Sequence, residues 1–390
     1  MDAKQFFRPE DEQAIIALRR DLHRHPEIAF DLPRTVARVK QELENLGIPY
    51  TEKYSKGSVV GYINPQCTGK TIAIRADMDA LPLQEKSGVP FSSEIDGAMH
   101  ACGHDAHTAM LVGTARALKR AEAQLKCRVL LLFQPAEESN PDGSGAAMMI
   151  RNGVMAEVDE IIGMHVENLL QSGTLGVCHG EAMAASHPYI IEFFGASAHA
   201  TMPQSGHDAL AMAVKAYNDI YLMEARELSP FVHRSISIGA LQAGTTSNVI
   251  ADYAKMMISV RTYDTALDTF LHDRILQICT HAAEELGGKC TCSDQLNCPP
   301  LYNHPDVCRK LESAIATVVG AENVAVMPKK LSSEDFANYV VEKPGAFLRL
   351  GTRNDAVGCN TLPHNNDFRI DESAFLKGSM TCVQYVLDSM

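Results

Sequence analysis

Several things are missing from this chain, and each absence removes a class of protein. Nowhere in its 390 residues is there a run approaching the roughly 18 consecutive apolar residues of a membrane-spanning helix, so no membrane partner is expected. The opening MDAKQFFRPEDEQ carries acids early and has no apolar stretch, so it reads as no signal peptide. Positive charge is scarce: 35 Lys and Arg against 48 Asp and Glu leave a formal net charge of −13. Phosphate binding needs a basic face, which argues against nucleic acid as the main partner. It says little about a small substrate, because local charge at a site can oppose the global sign. The 11 cysteines are scattered, whereas a disulfide scaffold is short and densely paired. Free thiols in a reducing cytoplasm are the expectation. Cys290, Cys292, Cys298 and Cys308 come nearest to a cluster, and their spacings do not match a structural zinc site. No repeat or low-complexity segment occurs.

What remains is an ordinary globular composition, 46% hydrophobic and 21% charged, in a chain too long for one compact core. The first half alternates β-rich runs with helical patterns. VVGYIN (59–64), TIAIRA (71–76), RVLLLF (128–133) and EIIGMHV (160–166) read as buried strands. Residues 105–122 read as a helix with Met110, Leu111, Ala115 and Leu118 on one face. Such alternation predicts an α/β domain with a mostly parallel central sheet. Near residue 185 the pattern changes. Strands at 189–195, 235–241, 254–263 and 289–294, with helices at 207–224 and 268–286, follow a β-α-β-β-α-β order, the ferredoxin-like split βαβ. The division predicted is a discontinuous catalytic domain, 1–184 and 299–390, with an inserted α+β domain at 185–298 that returns through Cys298-Pro299-Pro300.

Four polar clusters adjoin these elements: RADMDALP (75–82), MHACGHDAH (99–107), QPAEE (134–138) and MHVEN (164–168). Ligands of open α/β sheets bind beyond the carboxyl ends of the strands, so the clusters should converge. They hold Asp77, Asp79, His100, Cys102, His104, Asp105, His107, Glu137, Glu138 and His165. Any one of these has a bland structural explanation. Together, thiolate, imidazole and carboxylate are the ligand set of zinc and its neighbours. The thiolate favours zinc; the carboxylates accept manganese, and cobalt or nickel would fit. Adjacent glutamates suit metal hydrolysis, since one can hold the metal while the other takes a proton from water.

LRRDLHRHPE (18–27), RADMDALP, MHACGHDAHT, FQPAEE and GMHV resemble the family of dinuclear metal amidohydrolases that includes bacterial N-acyl-amino-acid amidohydrolases (aminoacylases), hippurate hydrolases and plant auxin-conjugate hydrolases. The resemblance continues through GASAHATMP (195–203), SNVIAD (247–252), SVRTYD (259–264), SEDFANY (333–339) and LPH (362–364), across essentially the whole chain. It implies a zinc-exopeptidase-like catalytic domain binding two divalent cations per subunit, with the inserted domain acting as lid and homodimer interface. Cys102, His104, Glu138, His165 and His364 would be metal ligands, Glu137 the general base, and Asp79 a group orienting a ligand from behind. His199 would stabilise the oxyanion; Asn248 and Arg261 would hold a substrate carboxylate. The implied reaction is amide hydrolysis of N-acyl amino acids, with a dipeptidase or carboxypeptidase on the same site as the alternative. The sequence departs from the family after the HV dipeptide of HVENLLQSG (165–173), where a Pro is usual, and at NVIAD, where NVIPD is usual; neither departure replaces a ligand, and the sequence does not say which acyl group or amino acid is taken.

Overall fold

The fold is that of a computed structural model, which describes residues 1–138, 143–294 and 298–390. In chain order its strands are β1 (Tyr50–Thr51), β2 (Val59–Ile63), β3 (Thr71–Asp77), β4 (Arg128–Gln134), β5 (Glu160–Gln171), β6 (Leu175–Val177), β7 (Gly180–Met183), β8 (His187–Phe194), β9 (Arg234–Ala243), β10 (Tyr253–Thr262), β11 (Lys289–Asp294), β12 (Leu301–Asn303), β13 (Val324–Val326) and β14 (Gly345–Arg353). The α-helices are α1 (Pro9–Arg24), α2 (Pro33–Asn45), α3 (His104–Ala121), α4 (Gly145–Arg151), α5 (Ala209–Glu227), α6 (Thr265–Glu285), α7 (Pro305–Val319), α8 (Ala337–Glu342) and α9 (Phe375–Asp388). Two compact units form: Met1–Ala182 with Tyr302–Lys329 and Asp335–Met390, and Met183–Leu301 with Lys330–Glu334.

The first unit is a mixed α/β fold on an eight-stranded sheet of order β1-β2-β4-β3-β5-β14-β6-β13. Its centre, β4-β3-β5-β14, is parallel. The antiparallel pairs are β1 with β2, β2 with β4, and β14 with β6. Every residue of β3 is buried, as are all of β14 but the last. Strands covered on both faces need continuous apolar runs such as TIAIRA. α3 differs from the expected one-sided amphipathic helix: Ala106, Ala109, Leu111, Val112, Ala115, Ala117 and Leu118 are all buried. α1 and α9 pack against it as well as the sheet, so apolar residues are needed on more than one of its faces.

The second unit is a four-stranded antiparallel sheet of order β11-β8-β10-β9, with α5 and α6 packed on it. Here burial alternates. Ala254, Met256, Ile258 and Val260 of β10 face the core, while Tyr253 and Met257 are exposed. Asp208 and Asp264 cap α5 and α6, each accepting two backbone N–H bonds of the first turn. Among the described residues no helix is long and apolar enough to cross a membrane.

Candidate metal centre

The β3–β5 ladder ends at the pair Arg75–Gly163. Past that point α3 begins beside the carboxyl ends of both strands. Gly103, the residue before α3, has φ 88°, and a Cβ there would lie 2.5 Å from Val166 Cγ2. Only glycine permits both the left-handed backbone and that approach. The close fit buries Cys102 on one side of Gly103 and His104 on the other.

These residues meet the other strand ends. Cys102 Sγ lies 3.3 Å from His165 Nε2. His165 Nδ1 donates to the Val166 carbonyl at 2.6 Å, which fixes the tautomer and leaves Nε2 with its lone pair toward the thiol. Glu137 Oε2 is 3.8 Å from His104 Nε2, and Glu138 Oε1 is 3.1 Å from His364 Nε2. Three donor groups, Cys102-His104-His165, Cys102-Glu138-His364 and His104-Glu137-Glu138, each have their ligating atoms within 4.8 Å of one another. Asp79 accepts from the backbone N–H of Glu137 at 3.0 Å and of Glu138 at 3.1 Å, holding the paired acids from behind. His364 enters from a loop tied by its own N–H to the Ala101 carbonyl at 2.8 Å. Ala136 and His364 both have positive φ, 49° and 65°. Left-handed non-glycine residues cost energy and tend to gather at functional sites.

Burial pushes the Cys102 thiol up, reinforced by Glu138. Burial also drives His165 well down. At His104 burial opposes the proton, but Asp77 and Cys102 outweigh it and the ring rises well above the usual range. Bonds to Cys102 and Glu138 raise His364 to about 10. Both ring nitrogens of His104 are buried without a hydrogen bond. Buried polar atoms ordinarily find partners. An orphaned imidazole beside a thiol and carboxylates is the donor set a divalent cation fits.

Not every residue of the strand-end inventory joins the cluster. Asp105 turns away to Arg19 Nε at 2.8 Å and His23 Nδ1 at 2.7 Å. His100 is buried apart and pushed down to about 3 by burial. Asp77 and His107 bond each other at 2.5 Å. Three residues given no role from sequence also matter. Arg75 donates to Asp77 and Asp335, both at 2.6 Å, and to Gln134 at 2.8 Å. Gln134 precedes the Glu137 segment. Arg75 lies in RADMDALP and Asp335 in SEDFANY, so both motifs were visible; their pairing across the fold was not.

His199, Asn248 and Arg261 belong to the second unit. An isolated bridge joins His199 to Val249, flanked by Ala200 N–H to Asn248 O at 3.0 Å and Ile250 N–H to Ala198 O at 2.8 Å. His199 and Asn248 are thus neighbours, both exposed. Arg261 is not with them. It sits at the far end of β10, half-buried, donating to Ser333 Oγ at 2.9 Å. From Tyr253 to Arg261 the strand runs about 26 Å at 3.3 Å per residue. Arg261 and Asn248, expected to share one substrate carboxylate, thus lie toward opposite ends of β10.

Residues 73–388 match Peptidase family M20/M25/M40. The chain is 35% identical to Thermostable carboxypeptidase 2 of Saccharolobus solfataricus over 376 residues, 95% of this chain and 94% of that one. It is 34% identical to N-acetylcysteine deacetylase of Bacillus subtilis over 366 residues, 94% of each. Its fold resembles a dinuclear metal-binding peptidase of the M20 family from Bacillus subtilis, with TM-score 0.81 and 31% identity over 97% of this chain and 98% of that one. The chain belongs to peptidase family M20/M25/M40 and is a hydrolase acting on amides.

Proposed function

We propose that the protein hydrolyses the amide bond of small N-acyl amino acids, using two divalent cations held by Cys102, His104, Glu138, His165 and His364. The observation that carries this reading is the convergence of thiol, imidazole and carboxylate donors beside Glu137, a second carboxylate backed by the same aspartate. Kinship with a deacetylase of an N-acyl amino acid supports the substrate class, and a dinuclear relative supports the pair of cations. Zinc suits the thiolate. Cations bound there would supply Lewis acidity to the scissile carbonyl and acidify the attacking water.

The chain's own residues do the rest. Glu137 takes the proton of the attacking water and delivers it to the leaving nitrogen. Asp79 fixes the backbone under Glu137 and Glu138 so that their carboxylates diverge into separate tasks. Arg261 pairs with the free carboxylate of the substrate, for which a planar guanidinium is suited. His199 stabilises the oxyanion, with Asn248 beside it. Because about 26 Å of strand separates Arg261 from His199 and Asn248, one small substrate touches both sets only if two copies supply them. A two-fold homodimer through the second unit, acting in the cytoplasm, meets that need. The test is a panel of N-acyl amino acids and unblocked dipeptides on metal-reconstituted enzyme. N-acyl amino acids are expected to be the better substrates; a preference for unblocked dipeptides or C-terminal residues of longer peptides would instead make it a carboxypeptidase-like enzyme, as the Saccharolobus relative is named.

A further inference from the structure

Asp77, His104 and His107 also form a triad whose ligating atoms lie within 4.8 Å of one another, and by residue type it could hold a cation. The hydrogen bonds point elsewhere. Val166 N–H donates to His107 Nε2 at 3.0 Å, so that nitrogen carries the lone pair. Nδ1 must then hold the proton, and it meets Asp77 Oδ1 at 2.5 Å. The other oxygen of Asp77 accepts from Arg75 at 2.6 Å. Neither nitrogen of His107 is left for a metal.

The arrangement has a mechanical purpose. β3 and β5 stop pairing after Arg75 and Gly163, so the Val166 N–H is a buried donor that needs a partner beyond the ladder. His107, one turn after His104 on α3, supplies it while gripping the last residue of β3. Thr108 Oγ1 adds a bond to the Asp77 carbonyl at 2.9 Å. We propose that His107 is a positioning residue: with Asp77 it ties the parted ends of β3 and β5 together and so sets the spacing between His104 on the helix and His165, the residue before Val166. Ring centroids of His107 lie 5.4 Å from those of His104 and 4.6 Å from those of His165, close enough for a shift to pass directly to both. This rests on the reading of His104 and His165 as ligands.

Nitrogen-15 spectra of the histidine rings in protein loaded with cadmium-113 test it. Splitting by cadmium is expected at His104 and His165, with His107 unsplit and in the Nδ1–H tautomer. A split His107 resonance, or an Nε2–H tautomer, overturns the positioning role. Absence of splitting at His104 and His165 overturns instead the metal reading of the whole site. In parallel, His107→Ala should weaken cadmium affinity by about 10- to 100-fold in chelator competition, the range seen when groups behind a ligand are removed. His107→Gln, whose amide oxygen can accept from Val166, should recover part of the loss. An unchanged affinity in the folded alanine variant would contradict the proposal.

Discussion

The two units set their candidate site residues in different surroundings. In the first, Arg75 and Asp77 of β3 and His104 and His107 of α3 are buried, and Arg75, Asp77 and His107 are engaged by neighbours at fixed distances. In the second, sheet burial alternates, and His199 and Asn248 stand exposed on loops joined by one bridge. Buried, saturated networks hold geometry to within tenths of an ångström, which cation binding demands. Exposed side chains on loops can meet a substrate or a partner surface. The contrast is one of setting: the candidate metal donors of the first unit are mostly buried, whereas His199 and Asn248 of the second face solvent.

Substitutions sharpen that contrast. The largest effect should come from the first unit. Glu137→Gln keeps the hydrogen-bonding shape but cannot accept a proton, so turnover should fall by about 10² to 10⁴ while metal content, measured alongside, stays constant. A fully active glutamine variant with normal metal would remove Glu137 from the role of base. The second unit should answer more mildly. Amidating the substrate carboxylate deletes a charge-assisted contact with Arg261 worth about 1.5–3 kcal/mol, a loss of order ten- to a hundredfold in kcat/KM. Arg261→Ala should lose that discrimination between free and amidated substrates; a variant that still discriminates would show the carboxylate is held elsewhere.

The smallest effect lies far from either site. Asp11 accepts from the Arg8 N–H at 2.7 Å and from Arg120 at 2.9 Å. Burial raises its pKa, but Arg120 and the Arg8 N–H outweigh it, and the carboxyl is held below the usual range. A group lowered on folding stabilises the protein above its unfolded pKa of about 3.9 and loses that contribution as pH falls through the folded value. Melting temperature of the wild type should therefore fall more steeply below about pH 4 than that of Asp11→Asn. Parallel curves for the two would deny the ion pair any part in acid stability.

Much of this was legible in the sequence. The strands that carry the centre were placed within a residue or two by their apolar runs, except that β5 continues to Gln171, where Glu167 and Asn168 interrupt the apolar run. Glu167 and Asn168 are nonetheless buried, the latter bonding the Thr361 and Arg369 carbonyls at 2.7 Å, a long-range pairing that no local pattern encodes. Cys102, His104, Glu137, Glu138 and His165 emerged from clustering at strand ends. His364, in a loop, could be nominated only through resemblance. Asp77, Asp105 and His107 are chemically the same as ligands, and only their tertiary partners separate them from the cluster. The distance between Arg261 and Asn248 was hidden for a related reason: 13 residues of sequence can be a turn or a whole strand, and here most of them are β10.

The central claim, that each site joins the cations and base of one copy to His199 of another, is tested most directly by subunit complementation. Homodimers of His199→Ala and of Glu137→Gln should each be nearly inactive. When they are mixed in equal amounts and fully exchanged, half the dimers are heterodimers, each with one site carrying both defects and one carrying neither. About a quarter of wild-type activity should then return, as the reciprocal geometry of an isologous pair requires. No recovery, with subunit exchange verified independently, would contradict a site shared between subunits.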